Sequence, residues 1–277
     1  MKYYAGLDVS MKETFVCVVD ESGKRISETC ISTEPKVIFS YFDSLKLNIE
    51  LIGLESGAIS HWLITELRNL DLPVKCIDAR HINAVLSVKI NKTDKNDARG
   101  IADAMRCGLY KEVKAKKKEE IALNTLLNSR KMLVDQRTQL LSCIRGLMKP
   151  YGIRLGAIGS SSKSIEIILQ SLEEIPEIAA SSLRELVKVL SIKIQTIKDL
   201  DKKIQEQVRV NKEAQLLRTI PGVGPITALR FIAEISEPNR FLKSKSVGAY
   251  VGMNSKAIFI RRNSKTRKDF QMRPQRP

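Results

Sequence analysis

Histidine is almost missing from this 277-residue sequence: His61 and His81 stand alone, and no Ser-His-Asp order can be built around either. The five cysteines, Cys17, Cys30, Cys76, Cys107 and Cys143, are odd in number, scattered, and without a Cys-x-x-Cys pair. That spacing argues against a disulfide framework and against a zinc site, and leaves reduced, mostly buried thiols as the expectation. No window of about 18 apolar residues occurs, and "MKYYAGLDVSMKETF" lacks the apolar core of a signal peptide. A cytoplasmic protein is expected, nucleoid-associated if it acts on DNA. Acids are the last shortage, with 31 Asp and Glu against 47 Lys and Arg, a net charge of +16. An excess of that size points to a polyanionic partner, nucleic acid first. A basic protein that is merely soluble, or one that meets acidic membrane surfaces, is the plainer alternative.

What is present falls into three parts. To about residue 112, strand and helix signals alternate: "YYAGLDVS", "TFVCVVD" and "RISETCIS" read as a three-strand meander, with "ESGK" as a turn. Next come a helix ("KVIFSYFDSL"), a strand ("IELIGLES"), a helix ("SHWLITELRNLD"), a strand ("PVKCIDAR") and helices over "HINAVLSV" and 90–110. A meander followed by alternating helix and strand is the ribonuclease H-like, or RuvC-like, α/β order. From 113 to 210 long helical periodicity takes over, with Leu126, Leu133, Leu140 and Leu147 in one heptad series and Leu183, Leu190, Ile197 and Ile204 in another. Between them "KPYGIRLGAIGSSSKS" breaks the pattern. The seams must be buried, either in a helical hairpin within the chain or in a dimerisation coiled coil; Asp201 on the second seam argues against a uniformly dry interface. From 211 to 277 comes a small, mostly helical, basic unit, with eleven Lys and Arg after Pro238 against one acid, Asp269.

The chemistry-bearing residues are acids. Asp8 interrupts the apolar strand "AGLDVS", where a charge is costly without compensation. Glu55 ends the apolar strand "LIGLESG". If strands one and four are neighbours, Asp8 and Glu55 converge, and Asp94 and Asp97, three residues apart on one helix face, close the site from the side. Four carboxylates without cysteine or histidine suit Mg²⁺ or Mn²⁺ rather than zinc. Two such ions about 3.5–4 Å apart activate a nucleophile and stabilise the leaving oxygen of a phosphodiester. Each acid has a plainer reading: a strand-end turn, a solvated loop, a pair of charges offsetting the helix dipole. Asp20, Asp78 and Asp103 read as structural. Lys92, Lys95 and Arg99 beside the acids suit phosphate contact, as would any solvated base.

A second informative stretch is "LLRTIPGVGPITALRFIAEI". Pro-Gly-Val-Gly between two apolar-periodic segments resembles a helix-hairpin-helix, in which glycines free backbone N–H groups to approach DNA phosphates. Gly222 and Gly224 would face the phosphate, and Arg261 and Arg262 in the basic tail would add contacts. A tight turn between packed helices is the alternative.

Together "GLDVS", "GLESG", "KTDKNDARGIA", the long helices and "IPGVGPITA…RF…SVGAYVG" resemble the DEDD-type insertion-sequence transposases, the group that includes the Piv and MooV invertases. The resemblance runs from Tyr4 to about Met253. It implies that Asp8, Glu55, Asp94 and Asp97 form the metal-binding tetrad, with Mg²⁺ or Mn²⁺, of a RuvC-like domain in a bacterial or archaeal protein. It further implies a coiled-coil linker used in homo-oligomerisation, a C-terminal transposase domain, double-stranded DNA at element ends and target as partner, and in some members a structured guide RNA.

After "YVGM" the family continues with a Ser-Gly that carries a nucleophilic serine, whereas here "NSKAIFIRRNSKTRKDFQMRPQRP" follows, with Ile260 about where the serine belongs. Ser255 and Ser264 are the nearby serines, neither followed by glycine. A truncated or frameshifted copy is the expectation from this segment. Three functions stay open: a transposase or site-specific recombinase, a RuvC-like nuclease that uses water as nucleophile, and a non-catalytic nucleic-acid-binding copy.

Overall fold

Apolar, β-branched runs form the strands of the first third, and helices cross over between those that run parallel. In the computed structural model, which describes residues 1–78, 94–156 and 162–251, the chain divides into two compact units, Met1–Lys117 and a second that begins at Lys118. The first holds a five-stranded sheet: β1 (Tyr3–Val9), β2 (Glu13–Asp20), β3 (Arg25–Ser32), β4 (Ile49–Glu55) and β5 (Val74–Ile77). Its order is β3-β2-β1-β4-β5. The first three strands form the expected antiparallel meander, and β4 and β5 run parallel to β1. Parallel neighbours need crossovers, and helices α1 (Pro35–Leu45) and α2 (Ser60–Asn69) supply them.

The sheet is covered on both faces. On one, Leu7, Val16, Val18, Ile52 and Leu54 pack with Ile38 and Phe42 of α1 and Leu63, Ile64 and Leu67 of α2. On the other lies α3 (Asp94–Cys107), whose Ala98, Ile101, Ala102 and Met105 meet Cys17, Val19 and Ile77. Burial on both faces explains why β2 reads as the near-continuous apolar run "FVCVV" rather than as an alternation. The turn after β2 is set by Asp20: its carboxylate accepts from the Ser22 hydroxyl (2.6 Å), the Ser22 N–H (2.9 Å) and the Lys24 N–H (3.0 Å). The Ser22 hydroxyl bond is the main cause that holds this carboxyl below its ordinary range. Gly23 takes the left-handed φ of +85° that the turn requires. The segment "HINAVLSV" lies outside the described residues.

The second unit is helical: α4 (Lys118–Met148), α5 (Ser162–Ser171), α6 (Glu177–Val210), α7 (Lys212–Leu217), α8 (Pro225–Ile235) and α9 (Ser244–Tyr250). The heptad series of α6 is buried as expected, with Leu183, Leu190, Ile197 and Ile204 joined by Val187, Ile194 and Val208. Its partner within the chain is α4, laid antiparallel: Leu127 clusters with Ile204 and Val208, while Ile144 and Met148 cluster with Leu183, Val187 and Leu190. Asp201, the polar seam residue, accepts from the Arg130 guanidinium of α4 at 2.5 Å. Lys193 likewise reaches the Gln136 side chain at 2.7 Å.

Three expectations need correction. On α4 the buried residues are Leu127, Ile144 and Met148, and Leu147 is exposed. The strict seven-residue series drifts off the 3.6-residue repeat of a straight helix, so its last member turns to solvent. The break between the long helices contains a further helix, α5, which docks Ile168 on the α6 cluster together with Leu172 just beyond it. The serine cluster in front of it hid that short periodicity. Finally, the cysteines are expected to be mostly buried, but only Cys17 and Cys76 are; Cys30, Cys107 and Cys143 are exposed.

Candidate active site

The parallel pairing of β1 with β4 sets Gly6 opposite Gly53 and Leu7 opposite Leu54. One residue further on, Asp8 ends up beside Glu55. Side chains alternate along a strand, so Asp8 and Glu55 share the face of Gly6 and Gly53, the face that α3 covers. The antiparallel partner of Asp8 is Phe15, which packs with Ala98 and Ala102 of α3 on that same face.

The direction of α3 follows from its two ends. Arg106, near its C-terminus, approaches the Asp20–Gly23 turn, donating to the Glu21 carbonyl at 3.4 Å, and Asp20 pairs with Tyr3 at the start of β1. Ala98, near the N-terminus, packs with Phe15, opposite Asp8. The helix therefore runs antiparallel to β1, and its first turn lies at the sheet edge where β1 and β4 end. Asp8, Glu55 and Asp97 are each half-buried there. Asp94 opens α3, but its side chain and that of Lys95 lie outside the described residues. Arg99, on the same helix, is exposed.

The other acids stand apart. Ile77, the last residue of β5, pairs with Glu55, and the N–H of Asp78, the next residue, donates to the Lys111 carbonyl at 2.9 Å. Asp103 pairs with Arg106 at 3.8 Å. His61 accepts the Lys116 N–H at 3.2 Å. Among the described residues no group of three or more His, Cys, Asp or Glu side chains is drawn together tightly enough to hold a metal.

In the second unit the glycine hairpin is a turn with a physical reason for Gly222. The Val223 N–H donates to the Ile220 carbonyl at 3.1 Å, Pro221 takes the first corner, and Gly222 the second with φ +85°. That is the residue pattern of a type II turn. Gly224 precedes α8 as its N-cap, without a side-chain cap. A Cβ on either glycine would meet nothing within 4 Å; Gly222 is exposed and Gly224 half-buried. The preceding helix, α7, is only six residues long. α8 is anchored to α4 through Arg230, which donates to Asn124 and Asn128 at 2.8 Å each. Lys92, Ser255, Arg261, Ser264 and Arg262 lie outside the described residues.

Sequence reasoning did not single out Gly6 or Gly53. The signal was present in "AGLD" and "IGLE", a glycine two residues before each acid in two strands that pair.

A mixed sheet in the order 3-2-1-4-5, with carboxylates where its first and fourth strands end, defines the ribonuclease H-like class. Two family models match the chain: a DEDD transposase of IS110 type over residues 5–153, and the transposase IS116/IS110/IS902 family over residues 214–259. The chain belongs to the IS110 family of transposases. Among its relatives, the transposase for insertion sequence element IS1111A of Coxiella burnetii is 29% identical over 259 residues, covering 90% of this chain and 67% of that protein. A probable family 20 transposase of Pseudomonas aeruginosa is 27% identical over 73% of this chain and 60% of its own length. The transposase for insertion sequence element IS1328 of Yersinia enterocolitica is 24% identical, again spanning 60% of its own length. The chain thus spans about three-fifths to two-thirds of these relatives. Of solved structures, Thermus thermophilus RuvC is similar with a TM-score of 0.31 and 13% identity, over 40% of this chain and 99% of that one. The same protein in complex with a Holliday junction substrate gives 0.30, with 14% identity, over 41% of this chain. No helix among the described residues is long and apolar enough to cross a membrane.

Proposed function

We propose that the chain is the DNA-processing transposase of an insertion sequence, a site-specific recombinase whose phosphodiester chemistry is carried by Asp8, Glu55, Asp94 and Asp97. The observation that carries this reading is the register of β1 and β4, which puts Asp8 and Glu55 side by side on the face that α3 covers, at the edge where α3 begins. The donor chemistry fits Mg²⁺ or Mn²⁺: carboxylate oxygens from three different elements, the hard donors those ions prefer. When bound, such ions supply charge stabilisation at the attacked phosphate and at the leaving oxygen. The protein's own part is to fix the carboxylates on rigid strands and a helix and to offer basic side chains, Lys92, Lys95 and Arg99, to the neighbouring phosphates.

The second unit contributes grip in this reading. Gly222 and Gly224 expose backbone N–H groups at the start of α8 to a DNA phosphate, and the basic tail with Arg261 and Arg262 follows the DNA backbone. The partners are double-stranded DNA at the element ends and target, and a structured guide RNA. A serine of the C-terminal part is the family's nucleophile, and Ser255 and Ser264 are the positions to test. The α4–α6 pair serves assembly into a homo-oligomer.

The deciding experiment incubates the purified chain with labelled element-end DNA and Mg²⁺, with and without co-expressed RNA. Cleavage or joining that disappears in Asp8→Ala supports the reading. Equal activity in Asp8→Ala would overturn it. Denaturing gels separate the nucleophiles: a protein–DNA adduct shows serine attack, and cleavage without an adduct shows the simpler nuclease.

A further inference from the structure

Gly6 and Gly53 face each other across β1 and β4, two residues before Asp8 and Glu55, and α3 lies directly on them. A Cβ on Gly6 would stand 2.0 Å from the Ala98 carbonyl oxygen, 2.4 Å from the Ala102 nitrogen and 2.9 Å from the Ile101 Cβ. A Cβ on Gly53 would stand 2.6 Å and 2.7 Å from Cγ and Sδ of Met105 and 2.9 Å from a methyl of Ile101. The two obstacles differ in kind. Over Gly53 the nearest atoms belong to a flexible side chain that can swing aside. Over Gly6 they are helix backbone, which moves only if α3 itself moves.

We infer that Gly6 and Gly53 are positioning residues of the proposed metal site, a paired gap in the sheet that lets α3 approach closely enough for its first turn to meet Asp8 and Glu55. The spacing supports the inference. Two residues of strand, from Gly6 to Asp8, advance about 6.6 Å. Four residues of helix, from Ala98 back to Asp94, advance about 6 Å in the same direction. The point of closest approach thus lies one step from the carboxylates on strand and helix alike, and a change in helix height there passes directly to the first turn. Any Cβ at position 6 lifts α3 by about 1.4 Å to restore ordinary contact, more than the roughly 0.5 Å within which a metal constellation must be held. Both residues act through α3 and touch neither metal nor DNA. This inference rests on the tetrad reading above.

The test titrates the full chain with Mn²⁺ and follows free Mn²⁺ by electron paramagnetic resonance, with circular dichroism of each variant as the folding check. Loss of binding in Asp8→Asn establishes the tetrad. Gly6→Ala, folded, is then expected to bind Mn²⁺ at least about ten-fold more weakly, the size of effect typical of lost support around a metal ligand. Gly53→Ala is expected to weaken binding less and to recover in the double variant Gly53→Ala/Met105→Ala, which removes the obstructing side chain. If Gly6→Ala fails to fold, the Gly53 pair decides alone. Wild-type affinity in folded Gly6→Ala, or no recovery in the double variant, overturns the positioning role while leaving the tetrad standing. Unchanged binding in Asp8→Asn overturns the tetrad, and this inference with it.

Discussion

The two units place their polar residues by opposite rules. In the helical unit, Asp201 interrupts a buried apolar seam and is met by Arg130 on the facing helix, and Lys193 is met by Gln136. In the sheet unit, Asp8 and Glu55 end apolar strands at the same edge, and the nearest part of the opposing helix begins with two further acids, Asp94 and Asp97. A seam that answers an acid with a base is built for stability and register. At the sheet edge acids come from three elements, a grouping that the proposed reading completes with a cation.

The largest expected effect would break this comparison outright. Asp8→Ala or Asp97→Ala should lower DNA strand processing by at least about a hundred-fold while the circular dichroism spectrum stays that of the wild type. Asp201→Asn should leave turnover within about two-fold, since it touches only the helical seam. Comparable activity losses from both units would mean that the chemistry is not confined to the sheet edge.

Next in size is the packing of each unit. Leu190→Ala in the helical seam and Leu54→Ala in the sheet core should each cost about 2–5 kcal/mol, read by urea unfolding. With separate cores, each substitution should shift the transition of its own unit. A single transition moved equally by both would show one cooperative body.

Smaller still is the Arg130–Asp201 pair. Its members are 22% and 42% exposed at the side chain, so solvent screens much of their attraction, and Asp201→Ala should cost no more than about 1 kcal/mol in the same unfolding experiment. A larger loss would show that the seam depends on this pair for its register.

The cysteines sharpen the comparison without disturbing it. Burial pushes the Cys17 and Cys76 thiols up to about 11. At pH 8 only about one in a thousand of either is thiolate, the reactive form. A thiol reagent at that pH should modify Cys30, Cys107 and Cys143 in the native chain and reach Cys17 and Cys76 only on unfolding. Because both thiols are raised, their reactivity should climb only as the pH nears 11. Five equally fast cysteines would show that the sheet core opens readily.

Much of the fold was legible because two periods were written plainly. The apolar runs bounded by "ESGK" and "LESG" gave five strands, and the seven-residue series of α6 gave a buried helix face residue by residue. On α4 the same reasoning went astray at Leu147, since residues spaced by seven keep one face only where helices supercoil. α5 was missed because ten residues with a serine-rich start carry too little periodicity to stand out. The candidate site was legible as residue types: an acid ending each of two apolar strands and a pair opening a helix. The grouping of Asp8 with Glu55 depended on strands one and four being neighbours, which the string alone leaves as a condition and the register of β1 and β4 supplies.

By itself the sequence determined the charge balance that favours a polyanion, the strands and long helices, and the oxygen-only chemistry of the acids, because those depend on residue type and local spacing. Only the tertiary structure decided that β1 and β4 pair in the register that sets Asp8 beside Glu55, and that α3 runs antiparallel to β1 with its first turn at the carboxylate edge. Those outcomes rest on strand register and on the steric gap over Gly6 and Gly53, contacts between residues some 40 to 100 positions apart that no local pattern encodes.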